Sequence, residues 1–280
     1  MNEGNRYVLS EEDVNAKFYP CEAGDSEKLF VLIHGFMSWS FSFQSLIPSL
    51  VNHAHVLTLD LPGFGRSKKD VKYEFSYEQF TKTVQDMIDR REEHFTDIVP
   101  VGHSMGGQIA LRLARSNRCV HRVVLLASSG DMQKSSKRLR WASRLPFFDV
   151  WLARYVRDRD VSHVLKQVIH DNKKVTTEQI DAYSLPLQEN LMYRALSKFI
   201  RQREGDLSRE ELHKITKPVL LLWGENDRIV PVGVGRYLEK ELHRAKLKVF
   251  PKVGHLLPEE IPLEVGEEII RFSAGKERSE

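Results

Sequence analysis

The segment Gly102-His103-Ser104-Met105-Gly106-Gly107 constrains this chain more than any other. An apolar run, Ile98–Val101, leads into it, and an amphipathic stretch, Gln108–Ser116, leads out. The pattern is G-x-S-x-G placed at a strand-to-helix turn. So tight a turn forces the serine into a strained backbone conformation, tolerated only where its neighbours carry no bulk. Gly102 and Gly106 remove the side chains that would collide, and Gly107 adds room. The expectation is a Ser104 hydroxyl held above the carboxyl end of a sheet. The Met105 N–H then lies at a helix N-terminus, where a developing oxyanion is stabilised.

The flanking sequence repeats the same alternation. Leu29–Ile33, Ala54–Leu59, Ile98–Val101 and Arg122–Ala127 are compact apolar runs. Between them lie the amphipathic segments Phe41–Leu50, Ser76–His94 and Gln108–Ser116, with Phe80, Val84, Met87 and Ile88 at helical spacing in the second. Continuous hydrophobic strands separated by helices imply an α/β fold, with a mostly parallel central sheet and helices on both faces. The alternation stops after Ala127. Residues 131–212 read as helical, charged and aromatic, with no strand. Val219–Trp223 and Leu247–Phe250 then resume the strands, and a closing helix falls around Leu263–Phe272. The expected organisation is a core of residues 1–130 and 213–280 interrupted by a helical lid at 131–212.

Composition narrows the function classes. The 280 residues are 41% hydrophobic and 29% charged, with a net charge of +3, too small to imply a nucleic-acid partner. No run approaches the roughly 18 uncharged apolar residues of a membrane span. Met1-Asn2-Glu3-Gly4-Asn5-Arg6 is polar and lacks the apolar run of a secretory signal. Cys21 and Cys119 are far apart and in no metal-ligand spacing, as in a chain built for a reducing compartment. A cytoplasmic location is the expectation.

His34-Gly35-Phe36, Asp60-Leu61-Pro62-Gly63-Phe64-Gly65-Arg66-Ser67, Gly102–Gly107, Trp223-Gly224-Glu225-Asn226-Asp227 and Gly254-His255 occur in that order. From about Phe30 to the C-terminus, the lid excepted, the chain resembles the α/β-hydrolase superfamily, in particular its lidded, esterase-like members. The resemblance implies the chain order Ser, then Asp or Glu, then His. Ser104 is then the nucleophile, His255 its base, and Asp227 the carboxylate that orients the imidazole. Glu225 and Asp131 are the competing carboxylates. The resemblance also makes the backbone N–H groups of Phe36 and Met105 the oxyanion donors. His34 is read as holding the loop after its strand, and Asp60 as satisfying backbone N–H groups in its turn.

The lid is basic between Asp131 and Asp160, with eight Lys or Arg against four Asp. Trp141, Leu145, Phe147, Phe148, Trp151, Leu152 and Tyr155 are interleaved with these charges. The reading favoured is a cover whose aromatics close the pocket while its charges face water; a peripheral lipid contact is the alternative. Tyr183, Leu185, Leu187, Leu191, Met192, Phe199 and Ile200 either line the pocket or pack within the lid, and the sequence does not separate the two. The function implied is hydrolysis of a carboxylic ester of a small or medium apolar substrate through an acyl-enzyme, with no metal or organic cofactor. The other readings are a carbon–carbon bond hydrolase, a cofactor-free perhydrolase, or a ligand receptor or signalling protein on the same scaffold. A serine at position 104 argues against haloalkane dehalogenases and epoxide hydrolases, whose nucleophile is an aspartate.

Overall fold

Each apolar run forms a strand, and most of these strands bury both faces. A computed structural model describes residues 10–275; the N-terminal stretch read for a signal lies outside the described residues. The strands are β1 (Ala16–Tyr19), β2 (Lys28–Ile33), β3 (His55–Leu59), β4 (Asp97–His103), β5 (Val123–Leu126), β6 (Val219–Gly224) and β7 (Ala245–Phe250). They form one sheet in the order β1-β3-β2-β4-β5-β6-β7. All neighbours from β3 to β7 pair parallel, and β1 pairs antiparallel to β3. Every residue of β5 and β6 is buried, and all of β2 and β4 after the first, which requires cover on both faces. The outer strand β7 is less buried and carries Lys246 and Lys248, charges that discourage pairing with another chain.

The helices are α1 (Ile47–Leu50), α2 (Tyr77–Asp89), α3 (Met105–Ser116), α4 (Lys137–Ala142), α5 (Phe148–Arg157), α6 (Val161–Val168), α7 (Thr177–Ser184), α8 (Asn190–Gln202), α9 (Arg209–Leu212), α10 (Val232–Glu241), α11 (Leu257–Glu260) and α12 (Pro262–Ser273). In the core, α3 packs on β4 and β5, and α10 on β6 and β7. Ser76 starts α2 by accepting from the Gln79 N–H, and Phe80, Val84, Met87 and Ile88 are its buried face. This helix stops at Asp89, short of the expected His94, where Arg91-Glu92-Glu93 offers no apolar residue to bury. The expected segment Phe41–Leu50 divides into a 3-10 turn at Ser40–Phe43 and the short α1, with Pro48 in its first turn.

Helices α4–α8 are inserted between β5 and β6. Several hydrogen bonds tie this insertion to the core. The Trp39 indole donates to Ala182 O (3.1 Å), and the Glu204 carboxylate accepts from the Tyr77 and Glu78 N–H groups at the start of α2 (2.6 and 3.0 Å). The latter places a carboxylate where the helix dipole favours negative charge. Phe199 of α8 lies against Phe36, Phe64, Tyr77 and Phe80, with ring centroids 5.4 to 6.4 Å apart. No helix among the described residues is long and apolar enough to cross a membrane.

Candidate active site

The parallel order of β2, β4, β6 and β7 carries the loops after these strands to one edge of the sheet. Ser104 follows β4 directly and has φ 52° and ψ −118°, the left-handed strain expected of so tight a turn. A Cβ on Gly102 would lie 2.4 Å from Gly106 O, and one on Gly106 would lie 2.1 Å from Ile33 O. Both glycines therefore permit the close approach, as their spacing implies. The helix begins at Met105, earlier than the expected Gln108, so Ser104 itself is its N-cap. The Ser104 N–H donates to Leu126 O (2.9 Å), and its carbonyl accepts from Gly107 and Ser129, so backbone contacts alone hold the turn.

Asp227, in the loop after β6, is buried. One of its oxygens accepts the Ile229 and Val230 N–H groups (2.8 and 2.9 Å). The other lies 2.7 Å from Nδ1 of the buried His255, in the loop after β7. Glu225 and Asp131, the competing carboxylates, are exposed. No hydrogen bond among the described residues joins the Ser104 hydroxyl to the His255 ring. In an unliganded site such contacts are often long and tighten only around substrate. The Met105 N–H belongs to the first turn of α3, whose leading N–H groups have no intrahelical partner.

His34 has both ring nitrogens engaged by backbone: the Leu61 N–H donates to Nε2, and Nδ1 donates to Gly35 O (both 2.8 Å). Burial pushes its proton affinity down, and no nitrogen is left for proton transfer. Asp60 accepts from the Ser40 and Arg66 N–H groups and the Asn15 amide, all at 2.8 Å. Both residues hold loops, as read from the sequence.

Two further residues hold His255 in place. His103 is fully buried, and burial with the adjacent His255 pushes it down to about 3, so its ring is neutral. Its Nε2–H donates to the His255 carbonyl (2.9 Å), and the two rings lie 4.7 Å apart. The Glu260 carboxylate accepts from Gly254 N–H (3.0 Å) and from His170 N–H in the insertion (2.9 Å), while the His255 N–H donates to Val168 O (2.8 Å). His255 is thus held between core and insertion. Sequence reading missed both roles. The only signals were a histidine beside the nucleophile and a carboxylate five residues after the base.

A cavity of about 620 Å³ joins these groups; Phe36, Ser104, Met105 and His255 line its floor. Of the seven residues left open between lining and packing, Tyr183, Leu187, Phe199 and Ile200 line the cavity. Leu185 and Leu191 are instead half exposed, and Met192 is buried in the core. The expected aromatic cover is corrected. Of Trp141, Leu145, Phe147, Phe148, Trp151, Leu152 and Tyr155, only Tyr155 lines the cavity. The outer ones face solvent because α5 packs on α8 through its opposite side, where Ala153 is buried. Among the described residues, no group of three His, Cys, Asp or Glu is placed to hold a metal ion, and both cysteines are free.

At the edge of the cavity Glu259 accepts from the Tyr183 hydroxyl and from the Gln179 amide (2.7 Å), fastening α7 to α11. Burial pushes Glu259 up to about 7, with Glu260 adding repulsion, against those two donors. A carboxyl raised in the folded state is more protonated there than in the unfolded chain. Its contribution is therefore fully present below its ordinary value of 4.5 and is lost as pH rises through about 7. Glu259→Gln keeps the shape without the charge. It is expected to melt with wild type at about pH 5 and a few degrees above it at about pH 8. Identical melting curves at both pH values would remove this assignment.

A family profile described as alpha/beta hydrolase fold matches residues 28–262. The chain is 37% identical over 256 residues to an uncharacterized hydrolase, YugF, of Bacillus subtilis, covering 91% of this chain and 93% of that one. It is 28% identical over 233 residues to a pimeloyl-[acyl-carrier protein] methyl ester esterase of Nitrosomonas europaea, covering 80% and 87%. Among solved structures, a meta-cleavage product hydrolase of Pseudomonas fluorescens superposes with a TM-score of 0.73 at 19% identity, covering 94% of this chain and 95% of that one.

Proposed function

Because this chain belongs to the α/β-hydrolase fold family, we propose that it cleaves a carboxylic ester of a small or medium apolar substrate through an acyl-enzyme. The observation that carries this reading is the His255–Asp227 pair, 2.7 Å apart across the loops after β7 and β6, with His255 lining the cavity that Ser104 also lines. Asp227 accepts the Nδ1 proton of His255, which leaves Nε2 as the lone-pair nitrogen. Nε2 takes the Ser104 proton as the hydroxyl oxygen attacks the ester carbonyl. The carbonyl oxygen gains charge between the N–H groups of Phe36 and Met105, and the α3 dipole adds to its stabilisation. His255 then returns the proton to the leaving alcohol. Water repeats the sequence on the acyl-enzyme and restores Ser104.

The predominantly apolar cavity walls favour an apolar acyl or aryl group over a charged one. The methyl ester esterase among the relatives supports ester chemistry for this chain. Residues 1–130 and 213–280 are proposed as the catalytic core, with 131–212 as its lid. The test is labelling with a fluorophosphonate, followed by a p-nitrophenyl ester series of increasing chain length. Labelling at Ser104 and faster cleavage of medium than of acetyl chains are expected. A protein that turns over a vinylogous diketone but no ester would instead be a carbon–carbon bond hydrolase, and an unlabelled Ser104 would end the mechanism.

A further inference from the structure

The insertion has one side that the packing of the fold leaves uncovered. On α5 and the residue before it, Phe147, Val150, Trp151 and Tyr155 recur at helical spacing, yet all four are exposed. Phe147 is 77% exposed and has φ 65°, an unfavourable backbone for an aromatic left so open to solvent. Trp141 of α4 is 64% exposed and Trp151 is 57% exposed. Scattered single apolar residues on a surface need no explanation, but a helix face of large aromatics does.

The charges around this face are predominantly positive. Lys134, Lys137, Arg138, Arg140 and Arg144 form no ion pair among the described residues. Of the four aspartates in the segment, Asp149 pairs with Arg194 (3.1 Å), Asp158 pairs with Arg154 (3.8 Å) and Asp160 caps α6, which leaves the exposed Asp131 against five unpaired cations. What remains is an excess of free cations between exposed aromatics. Tyr155 and Met132 are about half exposed and also line the cavity, so this side reaches the cavity's mouth.

We propose that the outer side of α4 and α5 docks on an anionic lipid surface, with the aromatics at the level of the headgroups and the cations on their phosphates. Trp141, Trp151 and Tyr155 suit that boundary because the polar end of each ring stays wet, Phe147 adds apolar area, and neighbouring cations draw the protein to it. A bilayer fits better than a folded partner: the apolar residues lie on a helix face and a preceding turn, flanked by unpaired cations that match anionic headgroups. Docked in this way, the mouth at Tyr155 and Met132 lies beside the lipid.

The test is co-sedimentation of the full chain with phosphatidylglycerol or phosphatidylcholine vesicles at low salt, with tryptophan emission as a second readout. Neither readout depends on turnover, so the result stands whether or not ester cleavage does. Binding to phosphatidylglycerol vesicles with a blue-shifted emission is expected, weakening as salt is raised. The triple variant Trp141→Ser, Phe147→Ser, Trp151→Ser should partition at least about tenfold more weakly, while keeping soluble-ester turnover and the wild-type circular dichroism spectrum. Arg138→Gln with Arg144→Gln should lose the preference for the anionic lipid. Absence of binding to phosphatidylglycerol at low salt overturns the proposal, as does undiminished binding of the triple variant. A dimer lost in the triple variant, with no vesicle binding, would overturn it too and assign the face to a second copy of this chain.

Discussion

Ser104→Ala is expected to lower ester turnover by about 10⁴-fold or more while leaving the fold in place. The size follows from what the hydroxyl does: without it, water must attack directly, and only the oxyanion donors and the binding energy remain to help. The fold survives because the turn is held by the Ser104 backbone, whose N–H bonds Leu126 O and whose carbonyl bonds Gly107 and Ser129. The strain at φ 52° remains in the alanine variant. Ser104→Gly should relieve it and gain about 1 kcal/mol of stability with the same loss of activity. Stability and catalysis would then move in opposite directions at one position, as expected where strain serves the chemistry. Steady-state kinetics with thermal melts on all three proteins checks this. Turnover of Ser104→Ala within tenfold of wild type would mean that another group attacks the ester.

The buried centre of the sheet was legible because β2, β4, β5 and β6 must be apolar on both faces, and such runs cannot be mistaken for loops. β1 was not legible. Ala16-Lys17-Phe18-Tyr19 is a four-residue edge strand, half of it exposed, and its place is set by pairing with β3 some forty residues away. The glycines around Ser104 were legible because a strained turn leaves few residue choices. His103 and Glu260 were not, since a role exercised through a neighbour's backbone carries no pattern. The contact of His103 with the His255 carbonyl spans 152 residues. The insertion's aromatics show a different limit. Phe147, Val150, Trp151 and Tyr155 have the spacing of a buried helix face, and spacing alone does not say whether protein or solvent meets that face.

Asp227→Asn is expected to cut kcat by about 10³ to 10⁴-fold, with far less effect on KM. The substitution is nearly isosteric, and the structure says which half of it matters. The oxygen that accepts from Ile229 and Val230 N–H can remain an oxygen, so the loop after β6 keeps its shape. The atom facing His255 Nδ1 at 2.7 Å then becomes an amide N–H₂. A donor there requires Nδ1 to be the lone-pair nitrogen and moves the ring proton to Nε2, the nitrogen that must receive the Ser104 proton. The imidazolium formed on attack also loses its counter-charge. Asp227→Ala would remove the loop contacts as well, so its loss of activity would mix folding with chemistry. The asparagine variant separates them: an unchanged melting temperature with collapsed kcat assigns Asp227 to orienting the base. If both fall together, the carboxylate matters mainly for the loop. If neither moves, His255 takes its tautomer from another group, and the assignment of the acid fails.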